Sequence, residues 1–404
     1  MDDFEYLSFF SGAMGFDIGI EKSGFKCVFA NEINKDACDT ILKNRPQISL
    51  SSESIVDLSA EKIEKMLNKS LANIPLIVGG PPCQAFSVIG KRKGLSDTRG
   101  MMIYEFIRMV DEIKPECFIM ENVRGLHSMP LATGKANGTL FKEILQRFEA
   151  IGYHVDCFIV NAVNYGVSQI RERMICIGNR YDLIADFPSP QFSNRQSDNL
   201  PPFKTLGDVI GEGFDDNDPS LMNFSPRKLH YLSYVPEGGN WRNMPVDVQK
   251  ESMGKSWYLK GGRSAYWRRL SFDFPSPTVV TMPNHASTSL CHPKEIRALT
   301  VGECAAVQGF PKDWEFCGKI SEKYKQIGNA VPPRLGEIAG QTVMKLLREI
   351  KEKELKPTSP SHSNITHLRP HVRTRTYWKN GKIAQSEESY YSHSNVQGSL
   401  LDVK

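Results

Sequence analysis

One pattern narrows the fold of this chain more than any other. Through the first half, short apolar runs at 6–10, 26–30, 75–78, 117–120, 154–160 and 173–177 alternate with amphipathic stretches at 33–43, 60–67, 102–113 and 138–151. Strands separated by helix-length stretches are joined by crossovers rather than tight hairpins. The alternation therefore predicts an α/β fold, a doubly wound parallel sheet with helices on both faces. Such sheets bind ligands beyond the carboxyl ends of their strands, so the residues just past each apolar run are the ones to inspect.

Past the third run stands Gly79-Gly80-Pro81-Pro82-Cys83-Gln84. Two prolines fix φ and restrict the residue before each, so the thiol is carried on a stiff loop. A lone cysteine in a tight turn is most often a buried structural thiol; the Pro-Pro setting at a sheet edge favours a nucleophile instead. Past the first run, Phe9-Phe10-Ser11-Gly12-Ala13-Met14-Gly15 is a strand-to-helix turn of the kind that lets a cofactor approach backbone N–H groups, without the full dinucleotide glycine pattern. Glu32 follows the second run, where an acid can hold a ribose, although alone it reads as a solvated strand end. Glu121-Asn122-Val123 ends the fourth run. In Gln169-Ile170-Arg171-Glu172-Arg173, an extended backbone would put Gln169, Arg171 and Arg173 on one face; alone that is a surface charge ladder.

Composition adds bounds. With 404 residues, 40% of them hydrophobic, the chain can bury a large core and form two domains. No apolar stretch approaches the length of a membrane span, and Met1-Asp2-Asp3 lacks the basic start of a signal peptide, so a cytoplasmic protein is expected. The nine cysteines are scattered and never spaced C-x-x-C, which indicates neither a disulfide framework nor a metal site. Residues 356–404 hold seven Lys/Arg against three Asp/Glu, the equivalent of the whole net charge of +4. Near Phe187 the apolar period weakens and prolines enter, marking a first part of the main domain at 1–188 and an irregular second domain at 189–293 with a strand-like piece at 277–281. Helical patterning at 300–308 and 333–351 predicts a return to the first domain over 294–355, and 356–404 reads as a disordered tail or small appended arm. Within the second domain, 254–270 carries Lys255, Lys260, Arg263, Arg268 and Arg269 beside Trp257, Tyr258, Tyr266 and Trp267, with no acid. Cations for phosphates beside aromatics for stacking suit nucleic acid, though a solvated basic face is as good a reading of this stretch alone.

Taken in order, these segments resemble the DNA (cytosine-5) methyltransferase family of the bacterial restriction-modification type. The resemblance rests on Pro82-Cys83-Gln84, Glu121-Asn122-Val123, the Gln169/Arg171/Arg173 pattern, the turn from Phe10 to Gly15, the block from Arg297 to Cys304 followed by Gln308-Gly309-Phe310-Pro311, and Gln326-Ile327-Gly328-Asn329-Ala330-Val331-Pro332. It implies a Rossmann-like sheet binding S-adenosylmethionine, and it makes the second domain a target-recognition domain for double-stranded DNA. By the same resemblance, Cys83 would attack cytosine C6, Glu121 would hold the exocyclic amine and N3, Arg173 would bind O2, and Arg171 would lie near the thiol. Phe10, Gly12, Gly15, Glu32, Ile55, Pro82 and Asn329 would hold the cofactor. Gln84, Ser87 and Arg99, with Arg263, Arg268 and Arg269, would meet DNA around a flipped-out base, phosphate contact being the leading expectation for the arginines. The enzyme would act as a monomer, with a separately encoded restriction endonuclease as partner or as a solitary methylase. Two departures stand out: Ser54 precedes Ile55 where many members carry an acid, and Met14 occupies a position that is often glycine. A tRNA cytosine-5 methyltransferase is a close alternative, disfavoured by the large second domain. A silent DNA-binding relative would have lost Cys, Glu or Arg, and none is lost. An oxidoreductase would leave Cys83 unexplained.

Overall fold

A computed structural model describes residues 4–82, 101–131, 136–195, 198–258, 265–285, 289–361, 363–368, 377–379 and 382–384. The chain runs β1 (Phe4–Phe9), α1 (Gly15–Lys22), β2 (Phe25–Asn31), α2 (Lys35–Asn44), β3 (Ser49–Ser51), α3 (Ala60–Leu67), β4 (Leu76–Gly79), α4 (Met101–Ile113), β5 (Cys117–Val123), α5 (Thr139–Ala150), β6 (His154–Asn161) and β7 (Glu172–Asn179). Then come α6 (Gly207–Ile210), α7 (Pro226–Leu232), α8 (Val246–Met253), α9 (Val301–Gln308), α10 (Ile320–Asn329), α11 (Pro333–Glu352) and β8 (Asn364–His367), followed by a small hairpin of β9 (Tyr377–Lys379) and β10 (Lys382–Ala384).

Eight strands form one sheet in the order β3-β2-β1-β4-β5-β7-β6-β8. Alternate residues of each strand enter opposite cores, as the two-residue period requires. Tyr6, Val78, Ile119 and Ile175 face α1, α9, α10 and α11, whereas Leu7, Ile77, Phe118 and Met174 face α3, α4 and α5. The expected all-parallel sheet needs correction at one strand: β7 runs antiparallel to both β5 and β6. Residues 162–171 between β6 and β7 hold only a short 3-10 turn, Ala162–Tyr165, so no crossover helix returns the chain and a parallel pairing is out of reach. At the other edge, β8 pairs parallel with β6, and Asn364 donates to Asp156 at 3.1 Å.

Helices α1 and α11 cross at backbone contact. A Cβ on Gly19 would come within 1.9 Å of Pro333 O, and one on Gly336 within 2.1 Å of Phe16 O, so only glycine permits this approach. The second region packs around its own cluster, including Tyr231, Leu232, Trp241 and Trp267. The strand-like piece at 277–281 forms no ladder; the chain is pinned just before it, where Ser276 exchanges hydrogen bonds with Ser168 O and Ile170 N, and Pro277 then lacks the donor to continue. Among the described residues, no helix is long and apolar enough to cross a membrane.

Candidate active site

Sheet register assembles the site. Phe9 lies level with Asn31 on one side and Gly79 on the other, and Gly79 with Met120. The next residues, Phe10, Glu32, Gly80 and Glu121, therefore lie level along one carboxyl edge; the first three leave the sheet there, whereas Glu121 stays in β5, which continues to Val123 paired with β7. This edge includes the β1/β4 junction, where the strand order reverses and open α/β sheets form their crevice.

On the β1/β2 side, Phe10, Gly12 and Met14 all adopt left-handed backbone, with φ of 56°, 54° and 58°. Two of these are not glycine, a strain that proteins concentrate at functional turns. Glu32 fixes the turn: its carboxylate accepts from Gly12 N and from Asn34 N, each at 2.8 Å. A Cβ on Gly12 would meet no atom within 4 Å, so the turn opens onto free space beside that carboxylate. Gly15 must stay bare, since its Cβ would stand 2.8 Å from Val331 O, and this contact brings the closing segment against the turn. Ile55 is buried at the start of a 3-10 turn, and the hydroxyl of Ser54, in place of an acid, accepts from Val56 N at 3.4 Å as its cap. Asn329 is exposed at the end of α10, and Pro82 is exposed after Gly80 and the buried Pro81. An open turn, a fixed carboxylate, an apolar shelf at Ile55 and an exposed amide together fit a nucleoside bearing a charged amino acid.

On the β4/β5 side, Cys83, Gln84, Ser87 and Arg99 lie outside the described residues, as does Arg263. The root of their loop is nonetheless defined. Asn122 donates from Nδ2 to Pro81 O at 2.9 Å, a tie that sequence reading missed because it needs the β4/β5 pairing to be known. A Cβ on Gly79 would clash with Phe106 at 2.5 Å, and one on Gly80 would lie 3.4 Å from Glu121 Oε2, so the carboxylate stands against the loop that carries Cys83. Arg173 Nε approaches Glu121 Oε1 at 2.8 Å as an ion pair, without the alignment of a good hydrogen bond. Burial pushes the Glu121 carboxyl above its ordinary value, and the charges of Arg173 and Arg171 only partly offset it.

The structure defines the surroundings of three further expected residues. Arg171, anticipated beside the thiol, is buried and donates to Val279 O at 3.2 Å, Gly328 O at 2.8 Å and Asn329 O at 3.4 Å. The last two are free carbonyls at the end of α10, where a cation is favourable. Burial, with the Arg173 charge, pushes this guanidinium well down. Arg269, expected to meet phosphate, directs its guanidinium inward to Pro293 O, Val235 O and Lys294 O at 2.8, 3.2 and 2.6 Å. Arg268 is half-buried, and burial lowers it to about 10. A buried relay also escaped the sequence: Gln169 accepts from Val279 N at 2.9 Å and donates to Gln308 at 2.7 Å, which donates in turn to Ala330 O at 3.0 Å. Four separate sequence segments, at Gln169, Val279, Gln308 and Ala330, are thereby locked into one wall.

The comparisons agree with this geometry. The model of the C-5 cytosine-specific DNA methylase family matches residues 4–345. The type II methyltransferase M.PspPI of Psychrobacter sp. (strain TA137) is 38% identical over 353 residues, covering 85% of this chain and 80% of its own. M.Eco47II of Escherichia coli, also a type II methyltransferase, is 39% identical over 354 residues, covering 86% and 80%. Among solved structures, a prophage-encoded DNA modification methyltransferase of E. coli shares the fold at TM-score 0.61 and 24% identity, over 86% of this chain and 100% of that one. DNMT2 of Spodoptera frugiperda shares it at TM-score 0.53 and 19% identity, over 85% and 99%. With a carboxylate, a guanidinium and the stem of a cysteine loop on the same sheet edge as an open turn, and with the family model spanning nearly its whole length, the chain belongs to the C-5 cytosine-specific DNA methylase family and is a DNA (cytosine-5) methyltransferase.

Proposed function

We propose that the chain methylates C5 of a cytosine flipped out of a short, specific duplex sequence, through a covalent bond between Cys83 and C6, as the modification enzyme of a restriction-modification system. The observation that carries the reading is the common carboxyl edge along which Phe10, Glu32, Gly80 and Glu121 lie level. One end of that edge suits a nucleoside cofactor and the other a polar base, with Gly80, where the segment leading to Cys83 begins, between them. The named relatives M.PspPI and M.Eco47II, both type II methyltransferases, support the restriction-modification setting.

S-adenosylmethionine, when bound, supplies an electrophilic methyl group. Phe10 would cover its adenine, Glu32 its ribose hydroxyls, Ile55 the apolar flank, and Asn329 with Pro82 the amino-acid end; Gly12 and Gly15 keep the turn open and closely packed. Cytosine C5 is a poor nucleophile until C6 carries an added group. The Cys83 thiolate bonds to C6, and the ring electrons move toward N3 and C5. Glu121, with its carboxyl raised by burial, donates a proton at N3 and hydrogen-bonds the exocyclic amine. Arg173, ion-paired with Glu121, would bind O2. C5 would bond to the methyl carbon as that carbon's bond to the sulfonium sulfur breaks, leaving a neutral thioether; the C5 proton would then pass to solvent and the N3 proton back to Glu121 as the C6–S bond breaks and Cys83 leaves as thiolate. Gln84, Ser87 and Arg99 would stabilise the opened duplex.

The test is transfer of label from methyl-tritiated S-adenosylmethionine to unmethylated DNA and to tRNA in parallel, with Cys83→Ser as control. Label in DNA as 5-methylcytosine at one short motif, lost in the variant with cofactor binding retained, supports the reading. Label in tRNA alone would move the chain to the RNA branch.

A further inference from the structure

Lys228 in α7 is a buried cation with no anion beside it. Its side chain is 3% exposed. Its ammonium contacts Pro283 O at 3.5 Å and His285 O at 3.2 Å and lies 4.0 Å from the centroid of the Phe224 ring. Among the described residues no carboxylate pairs with it, and burial pushes the ammonium down to about 8. Taking a charge out of water costs several kcal/mol, and two carbonyl dipoles with one ring face offset only part of that. A lysine near a surface ordinarily extends its head to water, and a methionine would fill the same space without the cost. Packing therefore does not account for this residue.

What the lysine does is grip a turn. Pro283 and His285 flank Asn284, so one ammonium holds two carbonyls of the same short segment. Asn284 Oδ1 is itself buried without a partner. The turn extends directly from the wall of the catalytic site: Val279 O accepts from Arg171, and a Cβ on Gly328 would stand 2.7 Å from Thr281 N, next to Asn329. Met282 follows, half exposed. Residues 282–285 thus follow directly on a segment packed against the catalytic wall.

We infer that Lys228 is a positioning residue for sequence discrimination, fixing the 282–285 turn from behind so that the turn meets DNA in one conformation. This rests on the methyltransferase reading above. Pre-organising a contact segment lowers the ordering cost of the correct complex and leaves the wrong one little changed. An ammonium suits the task because it holds both carbonyls at once, and charged hydrogen bonds are the stronger kind.

The test compares the parent chain with Lys228→Met and Lys228→Gln on unmethylated genomic DNA. Methylation rates are mapped at base resolution, and the thermal midpoint and S-adenosylmethionine binding are measured alongside. The readout is the ratio of kcat/KM at the preferred sequence to that at sequences one base removed. Lys228→Met should lower the ratio about tenfold, corresponding to about 1.4 kcal/mol, through loss at the preferred sequence. Its midpoint should be equal or higher, because a buried charge is gone, and cofactor binding should be unchanged. Lys228→Gln, a donor without charge, should keep more of the ratio than Lys228→Met. An unchanged ratio, or rates that fall in parallel at all sequences together with the midpoint, would mean Lys228 only supports the fold and would overturn the inference alone. A parent chain that leaves DNA unlabelled would overturn the methyltransferase reading and this inference with it.

Discussion

Replacing Asp17 by asparagine should stabilise the protein, and should do so more at alkaline than at acidic pH. Asp17 lies in the first turn of α1, 2% exposed, and accepts from Tyr6 Oη at 3.1 Å. Burial is the largest influence on its carboxyl and, against a hydrogen bond from Ser8 that pulls the other way, pushes it from 3.8 to about 6. At about 1.4 kcal/mol per pH unit, keeping this group ionised at neutral pH costs the fold about 3 kcal/mol. The positive end of α1 favours a carboxylate by only about 0.3–1 kcal/mol, so desolvation wins. In Asp17→Asn the Oδ1 acceptor for Tyr6 survives, while the new amide donor must find a partner, a loss of about 1 kcal/mol. The net gain at pH 8 is therefore about 1–2 kcal/mol by these same magnitudes. The sign follows from linkage: a carboxyl raised in the folded state contributes stability that is fully present below the unfolded value near 3.8 and is lost as pH rises through about 6. Urea unfolding midpoints of the two proteins should lie closer together at pH 5 than at pH 8. A variant less stable than its parent at pH 8, or a gap that ignores pH, would refute the reasoning.

Asn122→Ala removes the hydrogen bond to Pro81 O that fixes the cysteine loop; turnover should fall about tenfold or more with cofactor affinity nearly unchanged, since about 1.4 kcal/mol of misplacement is a factor of ten in rate. Methyl transfer by the parent should decline as pH rises through the raised Glu121 carboxyl, because its proton is the one donated, and Glu121→Gln should remove that limb from the pH–rate profile. Gly19→Ala should cost about 3 kcal/mol or more, or prevent folding, because its Cβ would overlap Pro333 O; thermal melts decide it. A chain ending after Leu355 loses β8, which buries Ile365 and pairs with β6, and its thermal midpoint should drop by several degrees.

The first half of the fold was readable because its helices lie on one sheet and need an apolar stripe: the stretch at 60–67 coincides with α3, and 102–113 falls within α4. The direction of β7 was not, because a buried strand has the same two-residue period whichever way it runs. Strand β3, at three residues, is too short to carry a period at all. Within the site, Glu32 and Phe10 were findable since each directly follows a strand, and Glu121 since it is the acid that closes an apolar run inside β5. Arg171 and Arg173 look equivalent by alternation, yet β7 starts at Glu172, so Arg171 precedes the ladder and turns instead toward the end of α10. The Gln169–Gln308 relay and the Asn122 tie join residues far apart in sequence, and no local pattern encodes such a meeting.

The glycine crossing of α1 and α11 has a consequence for how this enzyme comes into being. The turn at Phe10–Gly15 is made long before Ala330 and Val331, which pack against Gly15, and before Pro333, which packs against Gly19 of α1. At about 5–20 residues per second, the early half waits many seconds for its other wall. The cofactor turn is thus left without its second wall until the chain has been made as far as α11, so the site is completed by late helices rather than by the segment that bears it.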